Sequence, residues 1–546
     1  MVETNCRISR QYILVGERQV HYRYAGTGPI LVLIHQSPNN SKELIPLINY
    51  LSAYFTVIAP DTPGYGQSDP LSGTKQQASI DDFVDALVRL FDTLNIQKPV
   101  VYGSHTGAII GVRLAARYPQ KIAALVANGV LINTADERKD LCDKYFPTYH
   151  IKWDATHLSC LWSRLRDQHS FFPWYERTST SINCWAATDA EIDTNFLNYM
   201  EAGDNYPIAY RAAVGYAIVD DLVRLKVPSL MLAAKADTLS RYVEHYPPLP
   251  NNVDIQTVPD FCDIPEALLN YAKKHGSPLS TPFEPPHEAK QYGLQNRFVA
   301  TEGGTFHILS NHGAATTGNQ KPLLVLHELG LNNDTLRTLM MTLTEQKLLI
   351  APDLPGHGES EYPNCSSPIE MATALAQLMT RLNINKIDVF AIANASACAL
   401  ALKTQFPELI ATVTFCNPEC SSTQPSNADK LPDLQVDSAG SHLQRGWHYL
   451  RDRKLYYPWY ERTQDSQIEN PQIPEPNRLQ LELLALLKSR DGLEERLKLA
   501  SQNSADDYNQ CPDSQLAFTS TAPYRNLFVD YILLENEMYR WPQILH

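Results

Sequence analysis

The chain repeats itself. The run LVLIHQSP at 31–38 matches LLVLHELG at 323–330, and VIAPDTPGYGQSDP at 57–70 matches LIAPDLPGHGESEYP at 349–363. LNIQKPVVYG at 94–103 matches LNINKIDVFA at 382–391, and FFPWYERT at 171–178 matches YYPWYERT at 456–463. The offset stays between 285 and 292 residues. A constant offset over that distance means a duplicated unit, each copy large enough to bury its own core. The stretch 276–295 between the copies holds four prolines and no hydrophobic period, and it reads as a linker.

Each copy opens on two polar-alternating segments, Gln11–Val15 with Gln19–Tyr24 and Arg297–Thr301 with Thr305–Ser310, which predict a hairpin. Continuous apolar runs follow at Ile30–Ile34 and Leu323–Leu326. Amphipathic helices are expected at Ile80–Leu94 and Ile369–Leu382, from apolar residues three and four apart. Apolar strands alternating with helices imply a parallel sheet covered on both faces. YRAAVGYAIVDDLVRLKVPSL at 210–230 pairs with YRNLFVDYILLENEMYRWPQIL at 524–545, through Tyr210–Arg211 and Pro228 against Tyr524–Arg525 and Pro542. On that pairing the second copy is truncated at its C-terminal side and lacks the last two strands. Its sixth strand, Thr414–Asn417, then becomes an edge that needs cover.

Hydrophobic residues make up 44% and charged residues 19% of the 546, a globular balance. Lys and Arg total 46 against 60 Asp and Glu, for a formal charge of −14. No basic patch offsets that charge, so nucleic acid and anionic membranes are not expected partners. No apolar run reaches the length of a spanning helix, and MVETNCRISRQYIL lacks the apolar core of a secretory signal. The ten cysteines form no C-x-x-C pair and no zinc-spaced cluster. Reduced thiols in a cytoplasmic protein follow, with no metal and no cofactor. No glycine-rich phosphate loop stands in a fitting context, so no nucleotide is implied.

The first copy, over roughly residues 10–275, resembles the α/β-hydrolase superfamily. Three motifs carry the resemblance: the H-x-x-P turn His35-Gln36-Ser37-Pro38, the loop Pro60-Asp61 to Gly64-Tyr65-Gly66-Gln67-Ser68, and the strand–turn–helix Val100–Ala108. The H-x-x-P turn resembles the epoxide hydrolase and haloalkane dehalogenase branch. The resemblance implies two tandem α/β-hydrolase-fold units of mostly parallel sheet with a helical cap. They occupy 1–275, with the cap at about 131–215, and 296–546.

The family centres its nucleophile in a small-x-nucleophile-x-small turn. Here Gly103 and Gly107 are the small residues, so His105 takes the central place and Ser104 falls one residue early. The family's acid follows the seventh strand, where LMLAAKAD presents Asp237, which otherwise reads as a solvated loop acid. Asn128, after the sixth strand, is an alternative polar partner. The family's catalytic His follows the eighth strand, but Gln256–Asp263 holds none. A Ser/His/acid or Asp/His/acid mechanism is therefore closed.

What remains is an imidazole at a helix N-terminus, whose dipole disfavours the cation and predicts a neutral His105. Thr106 and Gln36 are expected to supply an oxyanion-type cradle. His35 and His327 sit in that turn in both copies, either lining the pocket or bonded to loop backbone. Trp174 and Arg177, in the cap, are candidates to touch a ligand, although repetition of their motif also suits cap packing. The second copy carries Ala393 at the elbow, and a methyl group neither attacks nor moves a proton. It is expected to dock on the first copy as a non-catalytic partner. The expected substrate is a small molecule bearing a carbonyl, ester, lactone or epoxide. A ligand-binding or scaffold protein, and a lyase or isomerase using His105 as acid and base, stand as alternatives.

Overall fold

The computed structural model describes residues 7–73, 78–182, 187–277, 282–286, 293–311, 321–363, 365–421, 430–469, 471, 473–519 and 531–534. The chain divides into two compact units, residues 1–149 with 160–289, and residues 150–159 with 290–546. Half of the linker stretch 276–295 and most of 524–545 lie outside the described residues.

The first unit is an eight-stranded sheet. Its strands are β1 (Ser9–Val15), β2 (Arg18–Ala25), β3 (Ile30–Ile34), β4 (Thr56–Pro60), β5 (Val100–Ser104), β6 (Ala124–Asn128), β7 (Ser229–Ala234) and β8 (Val253–Val258). Their order is β1-β2-β4-β3-β5-β6-β7-β8. The β1–β2 and β2–β4 pairs are antiparallel and the rest parallel. Every residue of β3 is buried, as a strand covered on both faces requires. Ile30, Val32 and Ile34 enter one core cluster, and Leu31 and Leu33 the other. That alternation is the pleat expressed as packing.

Helix Ile80–Thr93 covers one face. Ser79 and Asp82 form a capping box at its start, and Ile80, Phe83, Val84, Leu87, Leu90 and Phe91 point inward at three- and four-residue spacing. Each large side chain so buried contributes roughly 1.5–3 kcal/mol. Phe83→Ala would cost about 3–5 kcal/mol through transfer and cavity terms.

The second unit repeats this plan with a capping box at Ser367 and Glu370 before helix Pro368–Arg381. Its strands are β9 (Gln295–Ala300), β10 (Thr305–Ser310), β11 (Leu323–Leu326), β12 (Leu349–Pro352), β13 (Ile387–Ile392), β14 (Ile410–Cys416), β15 (Ser514–Thr519) and β16 (Tyr531–Leu534). Their order is β16-β15-β14-β13-β11-β12-β10-β9. Both units are thus mostly parallel eight-stranded sheets.

This corrects the expectation that the second copy lacks its last two strands. β15 pairs parallel with β14 along Val413–Cys416, and β16 pairs parallel with β15. Residues 514–519, and not 524–545, take the place of β7, so β14 is no edge. The Tyr-Arg and Pro match rested on three residues of common type. The ladder hydrogen bonds of β14 instead select the nearest buried apolar run, Leu516–Phe518.

Each unit also holds a buried histidine–aspartate pair behind its Pro-Asp loop. His21 Nδ1 lies 2.7 Å from Asp61 Oδ2, and His307 Nδ1 lies 2.8 Å from Asp353 Oδ2. The cap insertion supplies helices Ala135–Lys144, Thr156–Ser170, Asp189–Ala202 and Tyr206–Val214. Within it, residues 150–159 belong to the second unit, where the Trp447 indole N–H donates to the Trp153 carbonyl at 2.9 Å.

Candidate active site

β5 ends at Ser104 and a helix begins at Thr106, which leaves His105 to make the whole turn. Its backbone stands at φ 47° and ψ −106°, a conformation L-residues avoid. The turn is tight because the helix crosses directly over the strands. A Cβ on Gly103 would lie 2.1 Å from the Gly107 carbonyl oxygen, and one on Gly107 would lie 2.3 Å from that of Ile34. The His105 N–H donates to the Asn128 carbonyl at 2.9 Å, which ties the elbow to β6.

The elbow aims the imidazole at the loop after β7. His105 Nε2 lies 2.7 Å from Asp237 Oδ2. The other oxygen of Asp237 accepts the Leu239 N–H at 2.9 Å, so the carboxylate also caps the short helix that follows. Asp237 is buried, whereas the His105 side chain is 30% exposed. Nε2 being engaged, Nδ1 is the ring nitrogen left for a ligand or water.

Burial pulls the His105 imidazole down, but the Asp237 charge, its hydrogen bond and the more distant Glu43 charge outweigh it, leaving His105 raised above its ordinary value. Burial pushes Asp237 up, and the His105 charge, the His105 hydrogen bond and the Leu239 N–H bring it below its ordinary value. Both directions describe an ion pair. The helix dipole, expected to lower His105, is outweighed here, because a carboxylate in contact acts more strongly than a half-charge spread over a helix end.

Glu43 is the residue that sequence reasoning missed. Its Oε1 accepts the Gln36 backbone N–H at 2.8 Å and its Oε2 the Gln36 side-chain amide at 3.2 Å. The Asn39 side-chain amide donates to Oε2 as well. The Gln36 N–H, expected to face an oxyanion, thus already holds an anion. Thr106, as first residue of its helix, keeps an N–H that the helix does not use. The only sequence signal for Glu43 is an acid a few residues beyond the H-x-x-P turn, which common surface acids match equally.

His35 is turned away from the elbow. Its Nδ1–H donates to the Gln36 carbonyl at 2.8 Å and its Nε2 accepts the Thr62 N–H at 2.8 Å. His327 repeats both bonds, with Glu328 and Leu354. Ser104 ends β5 opposite Asn128 in the ladder. Asn128 is buried, and its side-chain oxygen has no partner among the described residues. After β8, Asp260 and Asp263 form the capping box of a helix start, where the family's His would stand.

The cap candidates are spent within the cap. The Trp174 indole N–H donates to the Tyr145 carbonyl at 3.1 Å, and its ring lies 5.4 Å from the buried Arg164 guanidinium. Arg177 is 62% exposed and pairs with Asp167 at 3.0 Å. The same pairing recurs between Arg462 and Asp452. In the second unit Ala393 holds φ 51°, close to the φ of 47° at His105, with no side chain beyond Cβ. Among the described residues no group of three or more His, Cys, Asp or Glu is placed to hold a metal ion, and no helix is long and apolar enough to cross a membrane.

The chain is 36% identical over 140 residues to an uncharacterized hydrolase of Saccharomyces cerevisiae, covering 25% of this chain and 46% of that protein. It is 33% identical over 133 residues to the (E)-2-((N-methylformamido)methylene)succinate hydrolase of Acinetobacter baylyi, covering 24% and 49%. The chain therefore spans about half the length of these relatives. Among solved structures, an epoxide hydrolase mutant of Vigna radiata aligns with TM-score 0.39 and 17% identity, over 50% of this chain and 99% of that one. The model of the alpha/beta hydrolase fold matches residues 29–240 and again 321–448. The chain belongs to the α/β-hydrolase fold family.

Proposed function

We propose that the first unit is a hydrolase of small carbonyl-, ester-, lactone- or epoxide-bearing substrates that works through His105 rather than through a serine or aspartate nucleophile. The observation that carries this reading is the 2.7 Å contact of His105 Nε2 with the buried Asp237, on an elbow whose turn points the ring into the site. In its neutral form His105 takes a proton from water at Nδ1 while the water oxygen bonds to the electrophilic carbon. Asp237 holds the ring and stabilises the imidazolium that forms. The imidazolium then returns the proton to the leaving oxygen. The Thr106 N–H at the helix start faces the charge that develops. The second unit, with Ala393 at its elbow, adds no chemistry and serves as a partner of the first. The described cysteines are free thiols, which supports a cytoplasmic setting.

Glu43 favours a second reading. A carboxylate on the Gln36 N–H removes one donor from the cradle that acyl transfer needs. It also adds another acid near His105, which suits a lyase or isomerase that moves a proton. The test is a panel of ester, lactone, thioester and epoxide substrates in ¹⁸O water and in deuterium oxide, for wild type and His105→Ala. Label uptake from ¹⁸O water that is lost in His105→Ala supports hydrolysis. Deuterium exchange without ¹⁸O uptake supports the second reading. No turnover, with ligands bound equally well by His105→Ala, leaves the binding-protein reading standing.

A further inference from the structure

Asn198 and Glu201 stand three residues apart on the cap helix Asp189–Ala202, so they share one face of it. That face meets the loop after β3. The Asn198 side-chain amide bonds two successive asparagines there. Its Oδ1 accepts the Asn40 Nδ2–H at 3.1 Å, and its Nδ2–H donates to Asn39 Oδ1 at 3.0 Å. Asn40 Nδ2 also donates to Glu201 Oε2 at 3.3 Å, and the Gln67 side-chain amide donates to Glu201 Oε1. Asn39 in turn donates through Nδ2 to Glu43 Oε2.

An amide oxygen accepts and its nitrogen donates, so one fixed amide orients the next. The Lys42 N–H donates to Asn40 Oδ1 at 2.9 Å, with Asn40 capping the short helix Ser41–Leu44, and this leaves Asn40 its Nδ2 for Asn198. Asn198 then offers Asn39 a donor, and Asn39 offers one to Glu43. At the far end the Gln36 N–H donates to Glu43 Oε1 at 2.8 Å. The chain of amides runs between two backbone N–H groups, so reversing any one of them sets donor against donor. The cap supplies the middle link. Burial lowers His105, the charge and hydrogen bond of Asp237 raise it, and the charge of Glu43 raises it further. The Tyr102 and Tyr246 phenols, on which these carboxylates also act, are held above their ordinary value chiefly by burial and stay neutral where His105 titrates.

We infer that Asn198 is a positioning residue of the first unit: reaching from the cap to Asn39, it keeps Glu43 on the Gln36 N–H. Without it Asn39 Oδ1 has no donor and the Asn39 amide turns toward water. Glu43 Oε2 then keeps only the Gln36 side-chain amide, at 3.2 Å, of its two donors. The cap thereby sets how much of the Glu43 charge reaches the His105 ring. The use of that setting in turnover rests on the reading of His105 as the group that moves the proton, whereas the hydrogen-bond chain does not.

The experiment follows the His105 ring titration by NMR of the full chain labelled in histidine, with His105→Gln identifying its resonance. Wild type, Asn198→Leu, Asn39→Leu, Glu43→Gln and the double variant Asn198→Leu with Glu43→Gln are compared. Leucine has nearly the volume of asparagine and adds no charge. Asn198→Leu is expected to titrate at lower pH than wild type, by less than Glu43→Gln does, and to lower the Glu43→Gln value no further. Asn39→Leu should fall at least as far as Asn198→Leu. A wild-type titration in Asn198→Leu overturns the inference. An equal fall with and without the Glu43 charge overturns it as well, since a cap that is merely loosened acts in both backgrounds. Where Asn198→Leu does not fold, a wild-type titration in Asn39→Leu overturns it. The readout needs no substrate, so failure of the panel to turn over leaves it standing, and its failure leaves hydrolysis through His105 standing.

Discussion

A Cβ on Gly129 would lie 2.4 Å from Cδ2 of His105, 2.7 Å from its Nε2 and 3.0 Å from Asp237 Oδ2. The His105–Asp237 pair therefore closes across a backbone that carries no side chain. Gly129 also stands at φ 68°, a conformation that favours glycine. Gly129→Ala should separate the pair. Any turnover should fall by about 10²-fold or more, with about 1–3 kcal/mol of stability lost. Turnover and melting temperature both at wild-type level would remove the pair from the mechanism.

His105→Ala should lower turnover by about 10²–10⁴-fold, because the proton-transfer group is gone. His105→Gly should do the same, and should be more stable than His105→Ala, since both leave Asp237 without its partner but glycine relieves the positive-φ strain at the elbow. Thermal melts and a rate assay on one preparation check this. A His105→Gly variant that melts no higher than His105→Ala would show that the elbow stores no positive-φ strain.

Asp237→Asn tests the charge state. His105 is raised in the folded protein, so its pairing stabilises the fold below the ordinary imidazole value, and that contribution is lost as pH rises through the raised value. The stability gap between wild type and Asp237→Asn should therefore narrow as pH rises past the His105 titration. The general-base limb of the pH–rate profile should move to lower pH in the variant. Histidine ring NMR reads the same titration without a substrate, and an unmoved His105 resonance would contradict the pairing.

Glu43→Ala should free the Gln36 N–H. A tetrahedral anionic mimic such as a boronate is then expected to bind about 10-fold more tightly than to wild type. Glu43→Gln should lower the His105 titration by less than Asp237→Asn does, because Glu43 acts on His105 through its charge alone, whereas Asp237 adds a hydrogen bond. Unchanged boronate affinity in Glu43→Ala would show that the Gln36 donor plays no part in ligand binding.

Ala393→Gly should leave any turnover unchanged. Ala393 stands at φ 51°, so glycine there should relieve on the order of 1 kcal/mol of backbone strain. Altered kinetics in this variant would assign chemistry to the second unit.

Much of the architecture was legible in residue order. The duplication, the buried strands Ile30–Ile34 and Leu323–Leu326, and helices beginning at Ile80 and near Ile369 rest on local pattern, and periodicity is a local property. The glycines flanking His105 are legible for the same reason, since close crossing of strand and helix admits nothing larger.

The tertiary structure decided what depends on residues far apart in the chain. The distance from His105 to Asp237 is set by where β7 ends relative to β5, and no spacing encodes it. The charge of His105 follows from Asp237 and Glu43 together, and these lie in two different loops. Glu43 acquires its place by seating on the Gln36 N–H, one acid among many until the turn folds. The strands β15 and β16 were missed because a six- or four-residue run carries little pattern of its own. Their identity comes from the unpaired ladder of β14, which only the assembled sheet presents.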